Sequence, residues 1–363
     1  MSPKAYVVAL DVGGTSMKGG LVTSGGEVLL TDRRPTPRDE GPLRVIEAIR
    51  AFIDHLAESG RTLLTSTDPS HPHPTGTPSI YDAPSPYGAP SVHGAPSGIG
   101  LAVPGLVNTD TALYSANIGW RDVPATDFTS LDVPIRLGHD VRTAGLAERI
   151  LGAGRSEPDF LFLPIGTGIA GASIVHGEPY GGSGGWGGEI GHIPVFPDGE
   201  RCACGQIGCL ETYASAASVA RRYSERLSRV ASVRPSTPPP TGAGPAAEDV
   251  VALAMRGDPH ASAVWDEALE ALSIALASYT LLLDPSSIVI GGGLAEAGAA
   301  LFDPLGERLQ SRLAFRPAPP LRHAALGVNT GMLGAALLGW QAAGVPDAGS
   351  TWALNVLRSP SVP

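Results

Sequence analysis

Two kinds of hydrophobic spacing alternate along the first part of the chain. Between residues 5 and 35, short apolar runs such as AYVVALDV are separated by the pairs Gly13-Gly14 and Gly25-Gly26, which predicts a meander of three strands. From Pro42 to Ser59, apolar residues recur every three or four positions, which predicts an amphipathic helix with proline in its first turn. We therefore expect the fold to open with a sheet that a helix covers.

The regular spacing stops over residues 61–97. This segment contains TSTDPSHPHPTGTP and the near-repeats YDAPSP, YGAPSV and HGAPSG, and such a composition buries too little apolar area to order itself. We interpret it as a disordered insertion. The strand GIGLAVPG (98–105) resumes the fold, and a strand near 135–138 and a helix over 142–151 follow.

The strand–turn–strand order of the N-terminus returns in DFLFLPIGTG and IAGASIVHG, which indicates an internal duplication. Helical spacing follows over 210–227 and, after the linker RPSTPPPTGAGP, over 247–256 and 261–283. The strand SIVIGGG and a helix to Leu313 come next. We predict an α/β protein with an N-terminal domain (1–134), a C-terminal domain (135–344) and a tail (345–363). The last helix, 328–340, belongs to the second domain in this division, with packing back onto the first as an alternative.

Length, charge and hydropathy exclude several classes of protein. A chain of 363 residues suits two domains, and its net charge of -10 without a Lys/Arg cluster disfavours binding to nucleic acid. The most apolar stretch, Phe160 to Val175, is broken by proline and glycine and is shorter than the roughly 20 residues of a membrane span. The N-terminus has no signal-peptide pattern, and we expect a cytoplasmic protein without membrane partners.

Three glycine-rich motifs follow predicted strands. In ALDVGGTSMKGG, a strand leads Asp11 into a turn where Gly13, Gly14, Thr15 and Lys18 offer backbone N–H groups, a hydroxyl and a cation to an anion. LPIGTGIAGA repeats this arrangement in the second half, and IVIGGGLAEAG lets a flat base or sugar lie against the backbone. Plain hairpin or strand–helix turns are the alternative interpretation of each motif.

The cysteines predict a metal site. Cys202, Cys204 and Cys209 lie within one short segment, and His192 precedes them, which gives the four ligands of a tetrahedral zinc site. Such a site is structural, because four protein ligands leave no position for water or substrate. Clustered cysteines of odd number also suit a metal in a reducing compartment better than disulfides. Three buried thiols without a metal are the alternative.

Asp140 is the candidate general base. It ends the predicted strand IRLGHD and stands just before a predicted helix. A carboxylate at the carboxyl end of a strand can accept the proton of an attacking hydroxyl group. Asp is also among the preferred N-cap residues, so the residues alone leave a capping role equally open.

These motifs, in this order, resemble the ROK family (repressors, open reading frames and kinases), and more closely its bacterial glucokinase branch. The resemblance covers Ala5 to Trp340, and its most specific parts are DVGGTSMKGG, VPGLVNTDTALYSANIGW and GEIGHIPVFPDGERCACGQIGCLETYAS. It implies an actin-like fold of two ribonuclease-H-like domains hinged over a cleft that holds ATP and a sugar. It also implies a homodimer or homotetramer.

The resemblance also implies roles for single residues. Asp140 is the general base, and Asp11 lies beside the Mg²⁺ of Mg-ATP. The sugar is bound by Asn117, His139, Asp140, Glu189, His192 and Glu211, with His192 also on zinc. The nucleotide is bound by Asp11, Gly13, Gly14, Thr15, Lys18, Gly166, Thr167, Gly168, Gly292 and Gly293.

The chain departs from the family pattern around the base. Relatives carry an acidic residue, Asn, Asp, Ala and Asn at the end of the catalytic strand, whereas this chain has Gly138, His139, Asp140, Val141 and Arg142. An imidazole at 139 is bulkier than Asn and able to carry charge, so the sugar hydroxyls that it reads can differ. Variation outside the pocket is the alternative.

The resemblance predicts a kinase that moves the γ-phosphoryl group of ATP to the 6-hydroxyl of glucose. N-acetylglucosamine, N-acetylmannosamine or another sugar-like acceptor is the alternative within the family, and polyphosphate is an alternative donor. A non-catalytic sugar-responsive regulator is the alternative from another class. We expect no DNA-binding helix-turn-helix ahead of Asp11, and the acidic chain offers no basic recognition helix.

Overall fold

The computed structural model describes residues 5–65, 94–233 and 244–352. Its contacts divide the chain into two units, one formed by Met1–Ala147 and Asn329–Pro363 and the other by Glu148–Val328. Residues 66–93 of the predicted insertion, 234–243 of the predicted linker and 353–363 of the predicted tail lie outside the described residues. Among the helices of the described residues, none has both the length and the apolar character required to cross a membrane.

The first unit is built on a five-stranded sheet of order β3-β2-β1-β4-β8. Its strands are β1 (Tyr6–Val12), β2 (Ser16–Thr23), β3 (Val28–Pro35), β4 (Ile99–Val103) and β8 (Ile135–His139). A smaller sheet contains β5 (Leu106–Val107), β6 (Thr111–Tyr114) and β7 (Arg121–Pro124). The helices are α1 (Pro42–Thr65), the start of α2 (Asp140–Ile150) and α8 (Thr330–Ala342).

Strand β1 lies at the centre of this sheet and is buried on both faces. Tyr6, Val8 and Leu10 share one hydrophobic core with the apolar stripe of α1. Val7 points to the other face, where Gly339 of α8 approaches it closely. Burial on both faces explains why the sequence of this strand is a continuous apolar run rather than an alternation.

The second unit repeats the arrangement with a sheet of order β11-β10-β9-β12-β13. Its strands are β9 (Phe160–Pro164), β10 (Ala172–Val175), β11 (Glu178–Tyr180), β12 (Ser287–Gly291) and β13 (Leu321–His323). Its helices are α3 (Glu211–Ala214), α4 (Ala216–Val233), α5 (Ala247–Met255), α6 (Pro259–Leu283) and α7 (Ala299–Arg312). In both sheets three antiparallel strands are followed by two parallel ones, which is the duplication that the sequence predicts.

The structure differs from the sequence-based limits in three places. Strand β8 pairs with β4, so the division between the units falls within α2 rather than at residue 135, and α8 belongs to the first unit. Residues 61–65 continue α1. At the other end of the predicted insertion, the N–H of Ser97 donates to the Tyr6 carbonyl and the Tyr6 hydroxyl donates to the Gly94 carbonyl, which ties residues 94–97 to β1.

Candidate active site

Asp11 occupies the centre of the first sheet. It stands opposite Lys18 on β2 and beside Ala102 on β4. Gly331, in the first turn of α8, comes so close that a Cβ there would lie 2.2 Å from an Asp11 carboxylate oxygen. Burial raises the pKa of Asp11 to about 6, and the Lys18 ammonium opposes that rise. A bound cation would stabilise the charged carboxylate that burial disfavours.

The glycine turn after β1 is fixed by a residue that the sequence analysis did not single out. The N–H of Gly13 donates to the Ser16 carbonyl at 3.0 Å, which closes the turn. Thr36, which is buried just beyond β3, donates its hydroxyl to the Gly13 carbonyl at 2.7 Å and its N–H to the Thr15 carbonyl. Thr15 itself is exposed. Only the position of Thr36 at the end of a strand could have indicated this role.

Asp140 is the first residue of α2, and its neighbour His139 caps that helix. The N–H of Arg142 donates to Nδ1 of His139 at 3.3 Å, which is the bond that an N-cap side chain accepts. Asp140 instead receives the N–H of the adjacent Val141 at 2.7 Å. His139 Nδ1 also lies 3.1 Å from Asp140 Oδ1. His139, rather than Asp140, is therefore the N-cap residue of α2.

The environment of His139 keeps its ring neutral. Its side chain is 9% exposed, and burial together with the Arg142 guanidinium lowers its pKa to about 3. Gly138 has a packing reason as well: a Cβ there would lie 2.4 Å from Thr143 Oγ1 and 2.6 Å from Leu338 Cδ1. Two of the departures from the family pattern thus have structural roles.

The strand register brings Asp11 and Asp140 to one edge of the first sheet. Asp11 pairs with Ala102, and His139, the residue before Asp140, pairs with Val103. The carboxyl ends of parallel strands at such an edge are where ligands bind in open α/β sheets. Asn117 is exposed in the turn between β6 and β7, where buried Ile118 and Trp120 anchor the chain.

In the second unit, the turn after β9 exposes Thr167 and Gly168. The N–H of Gly166 donates to the Gly168 carbonyl, and the N–H of Ile169 donates to Oε2 of Glu211 at 2.7 Å. Gly292, at the end of β12, has φ 77 and would place a Cβ 2.4 Å from the Ile165 carbonyl oxygen, so only glycine fits there. The predicted phosphate turn and the predicted adenosine turn are therefore neighbours at the carboxyl ends of β9 and β12.

The predicted metal ligands come together in a hairpin-like loop. The ligand atoms of His192, Cys202, Cys204 and Cys209 all lie within 4.8 Å of one another. His192 Nδ1 is 3.9 Å from Cys202 Sγ, and the sulfurs of Cys204 and Cys209 are 3.7 Å apart. A tetrahedral zinc ion with Zn–S bonds of about 2.3 Å and a Zn–N bond of about 2.0 Å requires separations of roughly 3.5 to 3.8 Å. These two separations lie near the required values, so the cluster is compatible with a zinc site.

The pKa values of the two buried thiols are shifted in opposite directions. Burial raises the pKa of Cys209 to about 12. For Cys202, burial acts in the same direction, but hydrogen bonds from the Cys204 backbone and neighbouring side chains outweigh it and lower the pKa to about 7. A metal ion would hold all of these sulfurs as thiolates, which is the form that binds zinc.

Glu189 stands behind the histidine ligand. Its Oε2 lies 4.0 Å from Nε2 of His192, the ring nitrogen that does not face Cys202. At this distance the carboxylate lies beyond hydrogen-bond reach of the ring. A Cβ added at Gly191 would lie 2.1 Å from the Ile169 carbonyl oxygen. The segment from Glu189 to His192 therefore packs against the end of the phosphate turn. The predicted residues of the second unit therefore form one continuous set.

Comparisons with known proteins identify relatives of this chain. The ROK family model matches residues 89–342, well over half of the chain. A glucokinase from Halalkalibacterium halodurans is 32% identical over 347 residues, which cover 94% of this chain and 95% of that protein. An N-acetyl-D-glucosamine kinase from Escherichia fergusonii is 28% identical over 343 residues, which cover 90% of this chain and 97% of that protein.

A solved structure extends the likeness to the fold. The crystal structure of a ROK family glucokinase from Streptomyces griseus in complex with glucose and AMPPNP matches with a TM-score of 0.70 and 26% identity. The match covers 93% of this chain and all 100% of that one. The predicted α/β fold is thereby confirmed. The chain belongs to the ROK family and has the actin-like fold of its sugar kinases.

Proposed function

We propose that this ROK-family sugar kinase transfers the γ-phosphoryl group of ATP to the 6-hydroxyl of glucose. The observation that carries the proposal is the 32% identity to a glucokinase over 94% of the chain. The solved relative bound to glucose and AMPPNP supports the same pair of substrates. The retained candidate residues in both units agree with it.

Asp140 is the proposed general base. Its carboxylate accepts the proton of the sugar hydroxyl as the oxygen attacks phosphorus, a role typically worth a factor of about 10² to 10⁴. The carboxylate is held at the start of α2 by the N–H of Val141, which donates to its Oδ1, and by the N-cap bond that His139 accepts from Arg142. The neutral His139 ring brings no positive charge that would weaken the base.

The nucleotide is proposed to bind through backbone turns. The first is Gly13–Thr15 with Lys18, and the second is Gly166–Gly168, while Gly292 and Gly293 face the adenosine. Asp11 is the carboxylate proposed to lie beside the Mg²⁺ of Mg-ATP, an ion that would neutralise charge on the phosphates when bound. Positioning and neutralisation of charge supply most of the rate enhancement in phosphoryl transfer.

The sugar is proposed to bind to Asn117, Glu189, His192 and Glu211, with His139 as a further candidate. Zinc on His192 and the three cysteines would fix the loop that carries Glu189 and Glu211. It is proposed as a structural ion, because the four ligands found together leave no position for a substrate oxygen.

A second candidate acceptor is N-acetylglucosamine. The 28% identity to an N-acetyl-D-glucosamine kinase over 90% of the chain favours it as the alternative. Both acceptors have a 6-hydroxyl and differ at carbon 2, so the same base serves either one. The choice between them depends on the space around the sugar rather than on the chemistry.

The test is an assay of ADP release with Mg-ATP against glucose, N-acetylglucosamine, N-acetylmannosamine and mannose, repeated with polyphosphate as donor. Asp140→Asn is expected to lower kcat by about 10² to 10⁴. The matched control is Asp127→Asn, because Asp127 is exposed in a turn of the same unit and should leave kcat unchanged. The same preparation is expected to contain one zinc ion per chain by elemental analysis.

Each outcome decides between the candidates. Fastest turnover of glucose that depends on Asp140 supports the proposal, and a preference for N-acetylglucosamine transfers it to the second acceptor. Sugar binding without turnover of any sugar contradicts the kinase and favours a regulator. A chain without zinc contradicts the proposed structural metal.

A further inference from the structure

The turn after β9 is held from two sides within the second unit. On one side, the N–H of Ile165 donates to the Gly291 carbonyl at 2.8 Å, and the N–H of Leu294 donates to the Ile165 carbonyl at 3.2 Å. On the other side, the N–H of Ala216 donates to the Gly166 carbonyl at 2.8 Å. These bonds fix both ends of the proposed adenosine turn and the start of the phosphate turn. At the far end, the N–H of Gly166 donates to the Gly168 carbonyl, and the next residue, Ile169, is held by a side chain as well.

That side chain is Glu211. Its Oε2 accepts the N–H of Ile169 at 2.7 Å, and a Cβ on Gly168 would lie only 2.6 Å from the same oxygen. The carboxylate thus lies directly against the backbone of the turn. A hydrogen bond to an ionised acceptor is roughly twice as strong as one between neutral groups.

The position of Glu211 is set by residues 192–209, the cysteine loop, which contains His192 and the three cysteines. It follows Cys209 by two residues and begins α3. The N–H of Leu210 donates to the Ile193 carbonyl at 2.9 Å, and the N–H of Thr212 donates to the Cys209 carbonyl at 3.1 Å. Cys209 is a predicted metal ligand, and Ile193 directly follows the predicted ligand His192. The loop therefore fixes the backbone from which the carboxylate reaches the turn.

We propose that Glu211 is a positioning residue for the phosphate turn, and that its carboxylate couples the end of the cysteine loop to nucleotide binding. The inference rests on the proposed function and extends it, because the family resemblance assigns Glu211 to the sugar alone. A negative charge beside a phosphate site repels the ligand, so the benefit must come from the hydrogen bond that shapes the turn. Substitutions at Glu211 can remove the negative charge while keeping the acceptor oxygen, or keep the charge while removing the hydrogen bond.

The experiment measures the Kd of Mg-AMPPNP by calorimetry without sugar, on the full chain with its metal content checked. Glu211→Ala removes the acceptor and is expected to raise Kd about ten- to hundredfold, the range of a lost hydrogen bond to a charged group. Glu211→Gln keeps an acceptor oxygen at the same reach and should stay within about threefold of the wild type. Glu211→Asp keeps the charge but is one methylene too short, and it should bind nucleotide as weakly as Glu211→Ala.

The matched control is Glu189→Gln, the other carboxylate of the second unit in the proposed sugar set, whose Oε2 faces the His192 ring. It is expected to raise the KM for sugar while the Kd of Mg-AMPPNP stays the same. The inference is overturned if Glu211→Ala and Glu211→Asp bind Mg-AMPPNP like the wild type and only the KM for sugar rises. If Glu211→Ala does not fold, the comparison of Glu211→Asp with Glu211→Gln decides alone. A wild-type chain that binds no Mg-AMPPNP would overturn the proposed function as well, and this outcome differs from the previous ones.

Discussion

Burial and binding act in opposite directions at Asp11. The carboxyl group lies between neighbouring strands and against Gly331, where burial raises its pKa from 3.8 to about 6. Without a ligand, the folded chain must therefore desolvate a charge at neutral pH. A cation bound with ATP would favour that same charge. The charged form of Asp11 is thus unfavourable for folding unless a cation stands beside it.

The sign of this effect predicts the behaviour of Asp11→Asn. Because the folded pKa lies above the unfolded value, the neutral carboxyl group favours folding most below pH 3.8, and that contribution is lost as the pH rises to about 6. Above pH 6 the shift corresponds to a penalty of up to about 3 kcal/mol. Asn has the same shape and does not titrate, so the variant should be more stable than the wild type at pH 8.

The measurement is thermal unfolding of the nucleotide-free and magnesium-free chain between pH 5 and 8. The difference in Tm between variant and wild type is expected to grow with pH across this range. The exposed Asp127→Asn serves as control and should show a constant difference. A variant that is equally or less stable than the wild type at pH 8 would contradict the raised pKa. The same variant should bind Mg-ATP more weakly.

At the scale of single elements, the start of α2 depends on His139. The ring accepts the N–H of Arg142, and Asp140 follows it as the first residue of the helix. His139→Ala removes both the cap and a buried ring, and we expect a loss of about 2 to 3 kcal/mol in unfolding free energy. His139→Asn retains an acceptor that is among the preferred N-caps and should recover about 1 kcal/mol.

Denaturant unfolding of the two variants checks this prediction, and the assay of ADP release adds a second readout. Because the cap holds Asp140, kcat should fall in His139→Ala and return towards the wild-type value in His139→Asn. Equal stability of the two variants would show that the Arg142 N–H has no need of the side-chain acceptor. The wild-type pH profile should show no ionisation of His139 above pH 5, since its pKa is lowered to about 3.

The sequence predicts elements where the pattern is local. Continuous apolar runs and glycine pairs located the central strands, because burial on both faces leaves few polar positions. The end of α1 was missed, since the Ser- and Pro-rich composition that begins soon after it was extended back to residue 61. The helix predicted over 210–227 is divided at Ser215 into α3 and α4. The Ser215 hydroxyl accepts the N–H of Ser218 in the first turn of α4. A serine before a helical stripe could have indicated that start.

The site was predictable in its residue types but not in its supports. Glycine turns and a cysteine cluster are local in sequence, so their positions could be read directly. Thr36 and the Ile169 partner of Glu211 are brought to the site by pairing across many residues. A pattern within a short stretch of sequence does not reveal such contacts. The close approach of Thr143 and Leu338 that favours glycine at position 138 is likewise visible only in the structure.

At the scale of the whole molecule, the chain passes between the two units twice. The first passage lies within α2, after Ala147, and the second follows Val328. Glu148, the first residue of the second unit, is completely buried. Its carboxylate accepts the N–H of Ala153 at 2.7 Å, of Ala325 at 3.2 Å and of Leu326 at 3.0 Å. One carboxylate therefore fixes the chain just after the first passage and just before the second.

We predict that Glu148 stabilises both segments together. Glu148→Gln replaces one acceptor oxygen by an amide that cannot accept, and should lower the unfolding free energy by about 1 to 3 kcal/mol. Glu148→Ala leaves three N–H groups without their acceptor and should cost more. Because the lost bonds are known, hydrogen exchange should accelerate in peptides that contain residues 153, 325 and 326, while the exchange of β9 and β12 stays slow.

Glu178→Gln is the matched control, because Glu178 is exposed on β11 of the same unit and its replacement should change stability by less than about 0.5 kcal/mol. Mass spectrometry of exchange compares the three variants with the wild type. If the two segments exchange faster together in Glu148→Ala, one carboxylate holds both passages. If only residue 153 responds, the bonds to Ala325 and Leu326 contribute little, and the segment before the second passage is held by β13 instead.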